Sequence, residues 1–125
     1  MKSIAVLVID DERVICDACD LVLTERGHTV DRCVTGRSGL RAIKKGAHDV
    51  ILLDMKLPDI DGMEILQTVH KMAAFPCVIV MTGYSTMSDA VQAMKLGAVD
   101  YLAKPFTDDE LVTAIEKACL KEKGP

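Results

Sequence analysis

Asp54 ends a short apolar run, Asp49-Val50-Ile51-Leu52-Leu53-Asp54, and is followed by Met55-Lys56-Leu57-Pro58-Asp59-Ile60-Asp61-Gly62. A carboxylate at the mouth of a buried strand is costly unless something pairs with it. Suitable partners close the other apolar runs. Asp10 and Asp11 follow Ile4–Ile9, Thr82 follows Cys77–Met81, and Lys104, which precedes Pro105, follows Val99–Ala103. Acids, a hydroxyl and an amine, each at a strand end, would make a phosphoryl-transfer site. Clustered carboxylates repel one another, and a hard divalent cation relieves the repulsion. An oxygen-only set suits Mg²⁺, or Mn²⁺ in its place, better than zinc, which prefers histidine or thiolate. Asp54 could then attack a phosphoryl group as a nucleophile. The cation and Lys104 would stabilise charge on the transferring oxygens. Thr82 could donate to the new phosphate, and Gly83 would leave space beside it and offer a backbone N–H.

These residues must be held by a scaffold, and the periodicity alternates in the way one requires. Ile4–Ile9, Val50–Leu53 and Cys77–Met81 are apolar runs, as in strands covered on both faces, and Val99–Ala103 reads as a fifth strand. Thr29–Cys33 carries Asp31 and Arg32, which suits an edge strand. Between them lie helical stripes. The first helix, within Asp11–Arg26, shows Val14, Ile15, Ala18, Cys19 and Val22, and Gly27 stops it. Thr35, Asp61, Ser85 and Thr107 are placed to cap the next four helices. Leu40 and Ile43 would face inward in the second, and Met87, Ala90, Val91 and Met94 would share one face of the fourth. Asp108, Asp109 and Glu110 suit the first turn of the last helix, in which Leu111, Ile115, Ala118 and Cys119 would face inward. Five strand–helix units imply a parallel α/β sheet with helices on both faces and right-handed crossovers. Ligands of such sheets bind beyond the carboxyl ends of the strands, where all five candidate residues fall.

The 125 residues are enough for one domain with one full core. Half the residues are hydrophobic, which excludes a disordered tail. No run approaches the ~20 apolar residues of a membrane span, and Asp10 and Asp11 interrupt any secretory signal. The net charge of −4 argues against nucleic-acid binding by this domain alone. Five cysteines, an odd count without framework spacing, read as small buried hydrophobes in a reducing cytoplasm. Cys16-x-x-Cys19 falls inside a helix, where nothing favours a thiolate. The three histidines are scattered, with no metal-ligand spacing.

Four segments together resemble the receiver domain of two-component response regulators. They are Val8-Ile9-Asp10-Asp11, Asp49 through Asp59, Val80-Met81-Thr82-Gly83, and Asp100-Tyr101-Leu102-Ala103-Lys104-Pro105-Phe106. The likeness spans the whole chain, in order and with the family's spacing. It implies a flavodoxin-like, doubly wound five-stranded parallel sheet of order 2-1-3-4-5. It implies one receiver domain over 1–125, with about 121–125 the start of a linker or a frayed end. Asp54 would be the phosphoacceptor. Asp11 would ligate the metal directly and Asp10 mainly through water, with Asp54 and the backbone carbonyl of Lys56 completing the protein ligands. Lys104 would bridge to Asp54 and later to the phosphate, through a cis bond to Pro105. Thr82 would swing toward the phosphate, and Tyr101 would turn into the space it leaves. Lys56 and Tyr84 would flank the path of attacking water and tune the lifetime of the phosphate.

The same resemblance implies a cytoplasmic signalling switch. A sensor histidine kinase or phosphotransfer protein would be the donor. The surface of helix four, strand five and helix five would carry the output, with homodimerisation through that surface as one route. Three of the four aromatics (two Tyr and two Phe in all), Tyr84, Tyr101 and Phe106, flank the fourth and fifth strands. No DNA-binding helix pair or ATPase loop is present, so the chain reads as a free-standing receiver or as one cut from a longer regulator. Ala90 through Leu102 is similar to receivers of sigma-54-dependent transcription activators, which would make the output transcription. Three rivals stand beside this reading. A flavodoxin-like cofactor binder would need a hydroxyl-rich loop where Asp10-Asp11-Glu12 stands. A phosphohydrolase with an aspartyl intermediate would need an acid where Lys56 stands. A phosphorylation-independent docking module would not need the set of site residues at all.

Overall fold

The computed structural model describes residues 2–72, 76–83 and 87–122. The aliphatic runs are strands and the stretches between them are helices. In chain order they are β1 (Ala5–Ile9), α1 (Arg13–Glu25), β2 (Thr29–Cys33), α2 (Gly36–Lys44) and β3 (Val50–Asp54). There follow α3 (Gly62–His70), β4 (Cys77–Thr82), α4 (Met87–Lys95), β5 (Asp100–Ala103) and α5 (Asp108–Glu122). All strand pairs are parallel, in the order β2-β1-β3-β4-β5. The order reverses between β1 and β3, which pair from Val6 with Val50 to Ile9 with Leu53. That pairing brings the residues after Ile9 beside Asp54.

Side chains of a strand alternate between faces, so the sheet builds two cores. Val6, Val8, Val50, Leu52, Ile79 and Met81 pack with α1 and α5. Leu7, Ile9, Ile51, Leu53, Val78 and Val80 pack with α2, α3 and α4. The three central strands are therefore apolar up to the polar residues Asp54 and Thr82 that end β3 and β4, whereas β2 at the edge exposes Thr29, Asp31 and Arg32.

The helix starts follow local chemistry. Thr35 accepts a hydrogen bond from the Ser38 N–H and caps α2; Asp61 accepts from the Met63 N–H and caps α3. At α5, Oγ1 of Thr107 accepts from the Glu110 N–H (3.1 Å) and Oε1 of Glu110 accepts from the Thr107 N–H (2.9 Å), a reciprocal capping box. Ser85, the expected cap of α4, lies outside the described residues. Gly97 has φ +107°, a left-handed conformation, and a Cβ there would stand 2.7 Å from Nδ1 of His70. Both constraints require glycine at this helix stop.

Two helix faces differ from the sequence expectation. In α1 the buried side chains are Cys16, Cys19 and Leu23, whereas Val14 is 70% and Leu21 64% exposed and Ala18 also faces solvent. Among the described side chains of α4, Ala90 and Ala93 are buried, whereas Val91 and Met94 are exposed; the side chain of Met87 lies outside them. Each helix has an apolar band wider than one stripe. Packing selects the side of α4 with small side chains, which allows a close approach to the sheet, and larger groups are left outside. The stripe expected on α5 is as read, with Leu111, Ile115 and Ala118 buried.

Candidate functional site

Asp10 leaves β1 at the point where the sheet order reverses. Its N–H donates to the Cys33 carbonyl (3.1 Å), which continues the β1–β2 ladder one residue beyond the strand. Its side chain is fully buried, and Oδ1 accepts from the Glu12 N–H at 2.9 Å, turning the chain into α1. Oδ2 faces Nζ of Lys104 at 2.7 Å. Asp54 is the last residue of β3 and is 4% exposed. Its Oδ1 accepts from the Lys56 N–H at 3.0 Å, and its Oδ2 lies 3.6 Å from Nζ of Lys104. Lys104 reaches both acids because its own N–H donates to the Thr82 carbonyl at 2.7 Å, which holds the end of β5 beside β4. The Lys104–Pro105 bond is cis.

A third carboxylate, Glu12, lies 3.2 Å from the same ammonium. Ligand oxygens of Asp10, Glu12 and Asp54 all come within 4.8 Å of one another. Burial pushes the Asp54 carboxyl up to about 6; the Lys56 N–H and Lys104 oppose this and Asp10 adds to it. Burial works against the Lys104 ammonium, yet its hydrogen bond to Asp10, the charge of Asp54 and the contact with Glu12 outweigh it and raise its pKa. Three acids around one ammonium leave an excess of negative charge. The donor set is oxygen only, as a hard divalent cation requires.

Asp11 is exposed and is not one of those three acids. It lines an open cleft of about 550 Å³ together with Met55 to Asp61. Lys56 is exposed and forms an isolated bridge with Asp61, folding the loop after β3 back on itself. A Cβ on Gly62 would stand 2.8 Å from Cα of Met55, so that fold-back depends on the glycine. Thr82 ends β4 and is buried, and its Oγ1 has no hydrogen-bond partner among the described residues. It lines a second cleft of about 240 Å³ with Met55, Lys56, Asp61, Met63 and Asp89. Gly83 is exposed, with open space where a side chain would project. Tyr101 points outward, 40% exposed. Tyr84 lies outside the described residues.

Thus Asp10, Asp54 and Lys104 form one contact group, Asp11 and Lys56 line the cleft beside it, and Thr82 lines the next. Glu12 was read from sequence only as part of an acidic loop. Its signal was its place two residues after Asp10, at the start of α1, where the turn directs it back over the strand ends. Cys16 and Cys19 are both buried in α1. Burial raises the Cys16 thiol and pushes the Cys19 thiol up to about 12, which is the opposite of a reactive pair.

The family profile described as "Response regulator receiver domain" matches residues 6–116. The transcriptional regulatory protein TcrA of Mycobacterium tuberculosis is 34% identical over 125 residues, all of this chain and 49% of TcrA. KdpE, a transcriptional regulatory protein of the same organism, is 42% identical over 113 residues, 90% of this chain and 50% of KdpE. This chain thus spans about half the length of these two relatives. The crystal structure of a CheY-like response regulator receiver domain protein from Methanospirillum hungatei superposes with a TM-score of 0.89 at 32% identity, covering 98% of both chains. Among the described residues no helix is long and apolar enough to cross a membrane.

Proposed function

This chain belongs to the response regulator receiver domain family, and from that premise we propose that it is a phosphorylation-activated switch whose acceptor is Asp54. One observation carries the proposal. A buried carboxylate ends β3 and shares the ammonium of Lys104 with a second buried carboxylate, Asp10. That arrangement is poor for stability, because two buried acids compete for one cation. It is good for chemistry that brings in phosphorus and more positive charge.

In the proposed reaction an oxygen of Asp54 attacks the phosphorus of a phosphohistidine on a sensor kinase or phosphotransfer protein. The new bond is P–O to Asp54, the bond broken is P–N, and its electron pair leaves with the imidazole. Lys104 meets the charge of the equatorial oxygens as they form. The hydroxyl of Thr82, without a partner among the described residues, donates to the transferred phosphoryl group, with the N–H of Gly83 beside it. Asp10, Asp11, Asp54 and the carbonyl of Lys56 would hold Mg²⁺ or Mn²⁺, which when bound supplies charge neutralisation for the transferring oxygens. Lys56 and Tyr84 would set how fast water removes the group.

The output is proposed to pass through Thr82 and Tyr101, which lie on the strands next to α4. Movement of Thr82 toward the phosphate would let Tyr101 turn inward and reshape the surface of α4, β5 and α5. Val91 and Met94 on α4, exposed at 44% and 42%, belong to that surface and suit a second copy or an effector. Transcription is the proposed downstream process, because TcrA and KdpE are transcriptional regulatory proteins. The residues encoded beyond Pro125 would test that, the sigma-54 likeness and the extent of the domain. A cytoplasmic place follows from the proposed donor.

The decisive experiment is labelling with radioactive acetyl phosphate and Mg²⁺. Wild-type protein takes up acid-stable, base-labile phosphate stoichiometrically. Asp54→Asn takes up none while keeping its circular dichroism spectrum. Label retained on Asp54→Asn would refute the assignment, and catalytic turnover of phosphate esters would favour a phosphohydrolase instead.

A further inference from the structure

We infer that Asp59 is a positioning residue for phosphoryl acceptance, because it ties the loop that follows Asp54 to the start of α2. The inference rests on the receiver reading above. Met55 to Asp61 separates the acceptor from α3 and walls one side of the cleft at Asp11. Both ends of this loop are fastened. Lys56 donates its N–H to Asp54 and bridges to Asp61, and Asp61 caps α3. Its middle needs an anchor of its own.

Asp59 supplies one. Oδ1 accepts from the Gly36 N–H at 2.8 Å and Oδ2 accepts from the Arg37 N–H at 3.0 Å. These are the first two helical N–H groups of α2, which no intrahelical carbonyl can serve. Thr35 accepts from the third, that of Ser38. The helix start is therefore capped by two residues, one local and one 22 to 23 residues away. The contact is close on both sides, since a Cβ on Gly36 would stand 3.1 Å from both Oδ1 of Asp59 and Cβ of Ile60. The Arg37 and then the Gly36 N–H hold the Asp59 carboxyl below its ordinary range, so it meets α2 as an anion.

A cap acts in both directions. A local cap such as Thr35 steadies only its own helix. A cap reaching from a distant loop also fixes that loop against the helix, and here the loop carries the Lys56 carbonyl and the cleft wall opposite Asp11. Without the tether the wall can swing, and the oxygens meant for a cation lose their spacing. Groups that hold a metal ligand in place typically matter by an order of magnitude or more in affinity.

The test uses Asp59→Ala, Asp59→Asn and Thr35→Ala, with Mg²⁺ affinity followed by amide chemical shifts and labelling rate by acetyl phosphate. Asp59 is exposed, so its truncation leaves no cavity. Asp59→Ala is expected to weaken Mg²⁺ binding and slow labelling, each about tenfold. Asp59→Asn keeps one accepting oxygen and recovers part of both. Thr35→Ala uncaps the same helix without touching the loop and leaves both unchanged. Asp59→Ala behaving as wild type, or Thr35→Ala losing as much as Asp59→Ala, would overturn the positioning role. Wild-type protein that neither binds Mg²⁺ nor takes label would refute the receiver reading and this inference with it.

Discussion

At the scale of single residues, Asp54 makes a prediction that needs no phosphate. Its carboxyl is raised from 3.8 to about 6, first by burial. Between those values the folded protein holds a proton that the unfolded chain has released. Stability of the metal-free protein therefore falls as pH rises through this window and stays lower above it. Asp54→Asn cannot ionise. With a chelator present it is expected to exceed wild type in stability near pH 7, by on the order of 1–3 kcal/mol, and to lose that advantage as pH approaches 4. Urea denaturation at the two ends of the window measures this, and a variant no more stable than wild type at pH 7 would contradict the burial argument. Much of this group was legible in the sequence. Asp10, Asp54 and Lys104 each end an apolar run, and a parallel sheet has only one edge where all run ends meet. Glu12 and Asp59 were legible only as acids at a helix start and in a turn. An acid at a helix start or in a turn has an ordinary local explanation, and only the fold shows what each one reaches.

At the scale of elements, glycines set how closely the helices and loops approach the site. A Cβ on Gly62 would meet the backbone of Met55 at 2.8 Å, whereas a Cβ on Gly39 would meet side-chain atoms of Ile9, the nearest at 2.6 Å. Ile9 can adjust its rotamer; a backbone next to Asp54 cannot move without moving the acceptor. Gly62→Ala and Gly39→Ala are each expected to cost about 1–3 kcal/mol in thermal or urea unfolding. Only Gly62→Ala is expected also to slow labelling by acetyl phosphate, and equal labelling rates in the two variants would show that the fold-back is not needed. Elements whose environment is uniform were legible. β1, β3 and β4 are covered on both faces, so their runs are apolar without interruption. The inward faces of α1 and α4 were not, because Val14, Leu21, Val91 and Met94 widen the apolar band until periodicity no longer selects a side. The choice is made by what the helix packs against.

At the scale of the whole molecule, the sheet order puts the acceptor and the proposed output surface at opposite sides of one short path, from β3 through β4 to β5. Phosphorylation can change affinity at that surface only by favouring one arrangement of the path over another. Phosphorylated wild type is expected to self-associate more than the unmodified protein, as read by sedimentation velocity. The double variant Val91→Asp/Met94→Asp is expected to take label at the wild-type rate and remain monomeric; association that survives it would exclude this surface. The Oγ1 of Thr82, which has no hydrogen-bond partner among the described residues, bears on the same balance. A buried hydroxyl unbonded among those residues would leave the unmodified protein in the less comfortable of its two proposed postures, by about 1–3 kcal/mol. Exchanging that oxygen for a methyl, Thr82→Val, should make the idle protein hardier to heat and, by the same stroke, deaf to its signal. Part of the molecule's fragility would then be the source of its responsiveness.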